Sequence, residues 1–140
     1  MGRARQKVVI LLPSSADLHG PSRVTQRITL RKPDDWHVHL RDGDALARTV
    51  ADSAKSFARV IVMPNLRPPV LTTADALAYK SRIMQAMPSG CALQPLMTIY
   101  LTDRTPAEEI YRARDSEQVF AVQLYPAGAT TNSDSGVTDF

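Results

Sequence analysis

The feature that most constrains the fold of this 140-residue chain is the apolar run Arg59-Val60-Ile61-Val62-Met63, closed by Pro64-Asn65 and flanked on both sides by segments of helical period. A β-branched run without polar alternation reads as a strand buried on both faces, and such strands belong to parallel sheets covered by helices. The neighbouring segments agree. Asp44 is placed to cap a helix with apolar residues at Leu46, Val50, Ala54 and Phe57. Pro68-Pro69 forces a loop, Thr73 caps a helix over 74–87, and Pro88-Ser89-Gly90 ends it. Residues 96–101 form the next strand. Thr105-Pro106-Ala107-Glu108 reads as a capping box with proline at the first helical position, opening a helix to about Arg114. Residues 119–125 make a further strand, and 28–39 the first.

Strands alternating with helices of this size imply βαβ units and a parallel sheet. A (β/α)8 barrel takes about 250 residues, so four strands and three helices correspond to roughly its first half. An open doubly wound sheet fits the same pattern. In either fold, ligands bind at the carboxyl ends of the strands, where His37, His39, Arg41, Asn65, Thr102 and Gln123 fall.

Composition narrows the function classes. With 44% hydrophobic residues the chain should fold, and its net charge of +3 comes from scattered basic residues with no aromatic interleaving, which argues against a nucleic-acid partner. The single Cys91 can form no internal disulfide, fits a reducing cytoplasm, and reads as a small packed side chain. No stretch approaches the length of a membrane span. Residues 1–26 combine a basic start, the apolar run Val8 to Leu12 and a Pro/Ser/Gly-rich segment; the run of five is shorter than the apolar region of a secretory signal and no clear small-residue cleavage site follows, so they are expected to be a flexible extension, with the domain proper over 27–140.

Chemistry enters at Pro33-Asp34-Asp35-Trp36-His37-Val38-His39-Leu40-Arg41-Asp42-Gly43. On a strand, alternate side chains share a face, so His37, His39 and Arg41 project to one side and Trp36, Val38 and Leu40 to the other. Neutral imidazoles are preferred zinc ligands, and the planar fork of an arginine suits a substrate carboxylate. A bare His-x-His is more often a pair of ordinary strand histidines.

Four strings together shift that balance: PDDWHVHLRDG (33–43), VIVMPNLRPPV (60–70), PLMTIYLTD (95–103) and LYPAGATTNSDSGVT (124–138). In this order they resemble the amino-terminal part of bacterial dihydroorotases of the shorter, homodimeric type, members of the amidohydrolase superfamily. The resemblance covers about residues 28–138. It implies a TIM barrel with two zinc ions that interconverts N-carbamoyl-L-aspartate and L-dihydroorotate in pyrimidine synthesis. His37 and His39 match ligands of the first metal, Arg41 and Asn65 match residues that hold the substrate carboxylate, and Thr130 and Thr131 match the tip of a loop that closes over substrate. The family's general base, an Asp of the last barrel strand, is expected beyond Phe140, so no catalytic residue falls within the chain. A small-molecule substrate, no nucleic acid and no membrane are the expected partners, with self-association or aggregation of a half-barrel through its open edges.

One position departs from the pattern. Where the family carries a carboxylated lysine that bridges both metals, this chain has Gln123. An amide nitrogen does not capture carbon dioxide, so the bridge cannot form and at most one weakly held zinc is expected. Gln123 reads either as a strand polar residue in a chain free of catalytic demand or as a change introduced in sequencing. The function implied is a dihydroorotase inactive on its own; the alternative is a non-catalytic partner subunit or a pseudogene relic.

Overall fold

The computed structural model describes residues 7–13 and 25–139. In chain order the elements are β1 (Lys7–Pro13), β2 (Thr25–Arg31), β3 (Asp34–Val38), α1 (Leu46–Ser56), β4 (Arg59–Val62), α2 (Thr73–Gln85), β5 (Gln94–Leu101), α3 (Ala107–Asp115) and β6 (Val119–Leu124). Strands β3 to β6 form one parallel sheet in sequential order, with β3 and β6 at its edges, while β1 and β2 pair antiparallel in a separate ribbon. The expected extension thus includes a strand at Lys7–Pro13; residues 1–6 and 14–24 lie outside the described residues. Among the described residues no helix is long and apolar enough to cross a membrane.

The helices cover one face of the sheet. Val50 and Ala54 of α1, Ala76 and Ile83 of α2, and Ala113 of α3 pack with Val60, Val62, Met97 and Ile99 into one buried cluster. Burial runs without a break from Pro95 to Tyr100 in β5, as an interior strand of a parallel sheet requires. Glu109 links two helices from inside: its carboxylate accepts from the Thr73 backbone N–H at 2.6 Å and from Arg112 at 3.1 Å. The Thr73 hydrogen bond holds this carboxyl below its ordinary pKa.

Several boundaries differ from expectation, each for a local reason. The single strand over 28–39 is divided at Lys32-Pro33: proline offers no N–H to a ladder, and its carbonyl instead accepts from Ala58 at 2.8 Å. Thr72, not Thr73, caps α2, because only Thr72 has an acid three residues on. Its hydroxyl accepts from Asp75 N (3.1 Å) and the Asp75 carboxylate accepts from Thr72 N (3.0 Å). Asp42, not Asp44, caps the short 3-10 turn Gly43–Ala45 that precedes α1. The capping box at Thr105 is absent, since the Thr105 N–H is already donated to Thr102 O at 3.1 Å and Pro106 takes the cap position of α3. Cys91 is exposed, because in the connection from α2 to β5 it is Leu93 that turns inward.

The turn from α3 to β6 contains no glycine, and Glu117 adopts the left-handed conformation there, with φ 54°. That region is costly for a residue with a Cβ and free for glycine. Glu117→Gly is therefore expected to stabilise the chain by about 1 kcal/mol, read as a higher urea midpoint at unchanged slope; a lower midpoint contradicts the account.

Candidate active site

The site is set by what lies beneath it. Val38 packs on the core and Leu40 is fully buried, so the strand period turns His37 and His39 the other way, over the carboxyl ends of the strands. The backbone is fixed on both sides: Met63 N donates to Val38 O at 2.9 Å, and the Thr49 hydroxyl donates to Leu40 O. The two imidazoles meet with their Nε2 atoms 3.2 Å apart and their rings inclined at 60°. Trp36 is not part of the buried side; on an edge strand it stays 57% exposed, with the Arg59 guanidinium 5.4 Å over its ring.

His39 sits partly buried. Burial chiefly, then the charge of Arg41 and the neighbouring His37, disfavours its protonated form, against a hydrogen bond to Asn65 as acceptor that favours it. A neutral imidazole has a lone pair to give to a metal ion. Arg41 lies beyond the end of β3, exposed, with a left-handed backbone (φ 61°) and its carbonyl oxygen accepting from the buried Tyr79 hydroxyl.

Asn65 follows β4 and is only 2% exposed. Its amide group donates to Thr131 O at 2.8 Å and its Oδ1 accepts from Tyr125 OH at 3.4 Å, while Asn132 Nδ2 donates to the Asn65 carbonyl at 3.2 Å. The segment 126–137 is therefore a folded loop tied to the end of β4. Internal bonds hold it as well: Thr130 N donates to Ser133 Oγ (2.8 Å), Gly128 N to Ser133 O (3.0 Å) and Ala127 N to Val137 O (3.0 Å). Gly136 is required by space, since a Cβ there would stand 2.3 Å from Tyr125 O. Thr130 and Thr131 are exposed at the outer part of the loop.

His37, His39, Asn65 and Thr131 are thus brought into one connected group, with Arg41 close enough for its charge to disfavour protonated His39. Thr102, by contrast, is engaged in its own turn with Thr105. Gln123, half-buried near the end of β6, has its side-chain nitrogen on Leu124 O at 3.3 Å. Tyr79, Tyr125 and Asn132 escape sequence reasoning: Tyr79 falls on the apolar stripe of a helix, and nothing local shows that its hydroxyl reaches Arg41. Among the described residues no group of three or more His, Cys, Asp or Glu side chains could hold a metal ion.

No protein-family model matches the chain. Curated relatives do: the dihydroorotase of Methylobacillus flagellatus is 66% identical over 116 residues, which is 83% of this chain and 34% of the relative. That of Cupriavidus metallidurans is 62% identical over the same shares. Among solved structures, dihydroorotase from Campylobacter jejuni superposes with a TM-score of 0.70 at 40% identity, covering 77% of this chain and 31% of that one. Dihydroorotase from Saccharomyces cerevisiae, solved with 5-fluoroorotic acid, gives 0.69 at 31% identity, covering 75% and 28%. These neighbours are TIM barrels, and the parallel sheet described here is an incomplete one. The chain spans about a third of the length of the curated relatives it matches, and in sequence and fold it corresponds to the amino-terminal part of dihydroorotase.

Proposed function

We propose that the chain builds the part of a dihydroorotase site that binds one zinc ion and the carboxylate of the substrate, for the interconversion of N-carbamoyl-L-aspartate and L-dihydroorotate. The observation that carries this reading is the convergence of His37 and His39, Nε2 atoms 3.2 Å apart, beside Arg41 and Asn65. The two imidazoles are the metal donors. Arg41 presents a guanidinium fork to the carboxylate, Asn65 adds an amide N–H, and Thr130 and Thr131 cover the ligand from the loop. The yeast relative's ligand, 5-fluoroorotic acid, is a pyrimidine bearing a carboxylate and has the chemistry this set would recognise. A small molecule is accordingly the partner, and the cytoplasm the place of action.

The residues present do not fit a bridged two-zinc centre. Gln123 is neutral, has no oxygen pair to span two ions, and directs its nitrogen to a backbone carbonyl. Two imidazoles alone fall short of the three protein ligands of a catalytic zinc. The chain is therefore inactive on its own, and its contribution is to orient an anionic substrate.

Two measurements check this. Protein dialysed with zinc and then against a mild chelator should retain less than one ion per chain by elemental analysis; two retained ions contradict the reading of Gln123. Ring opening of dihydroorotate should stay at the level of a zinc-only blank, and turnover above it contradicts the inactivity.

Asn65 is committed both to the ligand and to the loop. Asn65→Ala should cost about 1–3 kcal/mol, because it strips the buried Tyr125 hydroxyl and the Thr131 carbonyl of their partner. Hydrogen exchange should quicken over 127–137 and stay unchanged in β4 and β5; uniform quickening indicates global destabilisation instead.

A further inference from the structure

The residue on which anion binding depends sits in a backbone shape that residues with a Cβ avoid. Arg41 has φ 61°, and two residues later Gly43 has φ 60°, so the chain leaves the sheet through two left-handed positions with Asp42 extended between them. Glycine adopts that shape freely; arginine must be held there.

Helix α2 holds it with two side chains. Tyr79 is completely buried, and its hydroxyl donates to the carbonyl oxygen of Arg41. Three residues on, Arg82 grips Asp42 with hydrogen bonds of 3.1 and 2.7 Å, while its guanidinium lies 5.3 Å over the Tyr79 ring. Asp42 in turn accepts from Gly43 N at 3.0 Å. Packing does not need the Tyr79 hydroxyl: a phenyl ring would fill the same core volume. What the hydroxyl adds is a fixed direction for the Arg41 carbonyl, and hence for the peptide plane on which the Arg41 side chain depends. The Arg41 guanidinium is near enough to His39 for its charge to act on that ring.

We propose that Tyr79 is a positioning residue for Arg41: its hydroxyl keeps the Arg41 carbonyl against α2 and so aims the guanidinium beside His39, where it receives the substrate carboxylate. This rests on the reading of Arg41 as the carboxylate holder. Arg82 and Asp42 brace the same turn from the next residue.

The test compares the full chain with Tyr79→Phe and Arg41→Gln, each titrated with N-carbamoyl-L-aspartate and followed by NMR on isotopically labelled protein. In Tyr79→Phe, the Arg41 amide–Hα coupling and Cα shift should move to values of negative φ, the β4 and β5 resonances should stay in place as a control for folding, and Kd should rise about tenfold. Arg41→Gln should weaken binding at least as much without moving Tyr79. A left-handed Arg41 in Tyr79→Phe overturns the proposal whatever the ligand does. A relaxed Arg41 with wild-type Kd overturns it too, because the pose would then be irrelevant to the ligand. Wild-type Kd in Arg41→Gln overturns instead the carboxylate reading beneath it.

Discussion

The site depends on the burial of one leucine. Leu40 is 0% exposed two residues past the end of β3, locked by the Thr49 hydroxyl on its carbonyl, and Val38, the last residue of the strand, packs on the core. Because strand side chains alternate, fixing these two fixes His37 and His39 on the opposite side. A slip of one residue would exchange the imidazoles for aliphatic groups and place both histidines in the core. The apolar pattern that folds the strand is thus the same constraint that assembles the donors, and the helices behind the sheet act on the site without touching a ligand.

A second constraint is the amide of Asn65. Buried just after β4, it must satisfy its own donors and acceptor, and it does so with Thr131 and Tyr125, 66 and 60 residues away. The loop is ordered by the same side chain that the proposed function gives to the substrate. Under the proposed function, a carboxylate arriving at Asn65 would meet the Thr131 carbonyl already in place. It either takes the second amide hydrogen or releases Thr131, so ligand and loop share one energetic account.

What is legible in the sequence follows the range of the forces involved. β4 and β5 can be read from their apolar runs, and the convergence of His37 with His39 from the strand period alone, because both are local. The division at Pro33 is also local, yet it is masked by the continuous β-like text on either side. Thr72 and Thr73 are equal as cap formers, and only the reach of Asp75 decides between them. The left-handed Arg41 is hidden, since its cause is a hydroxyl 38 residues further on, and a residue type that avoids this shape gives no warning of it. The order of 126–137 is hidden too: a Gly-, Ser- and Asn-rich text looks like a solvated connection until Ser133 ties the loop to itself and Asn132 finds its tertiary partner, the Asn65 carbonyl.

Gln123 shows how one charge decides the capacity of such a site. Two dications about 3.5–4 Å apart repel by roughly 15–20 kcal/mol at an effective dielectric constant near 20. A single negative charge about 2 Å from each ion returns on the order of 30 kcal/mol on the same scale, more than cancelling the repulsion. An amide dipole supplies a small fraction of that. At position 123 the chain has no such charge, and the side-chain nitrogen donates to Leu124 O of its own strand at 3.3 Å. The contacts that set the Leu40 and Arg41 backbone, from Thr49 of α1 and from Tyr79 and Arg82 of α2, do not involve Gln123. Under the proposed function, the charge missing at position 123 therefore bears on the metal and not on the Tyr79 and Arg82 contacts that hold the Arg41 turn.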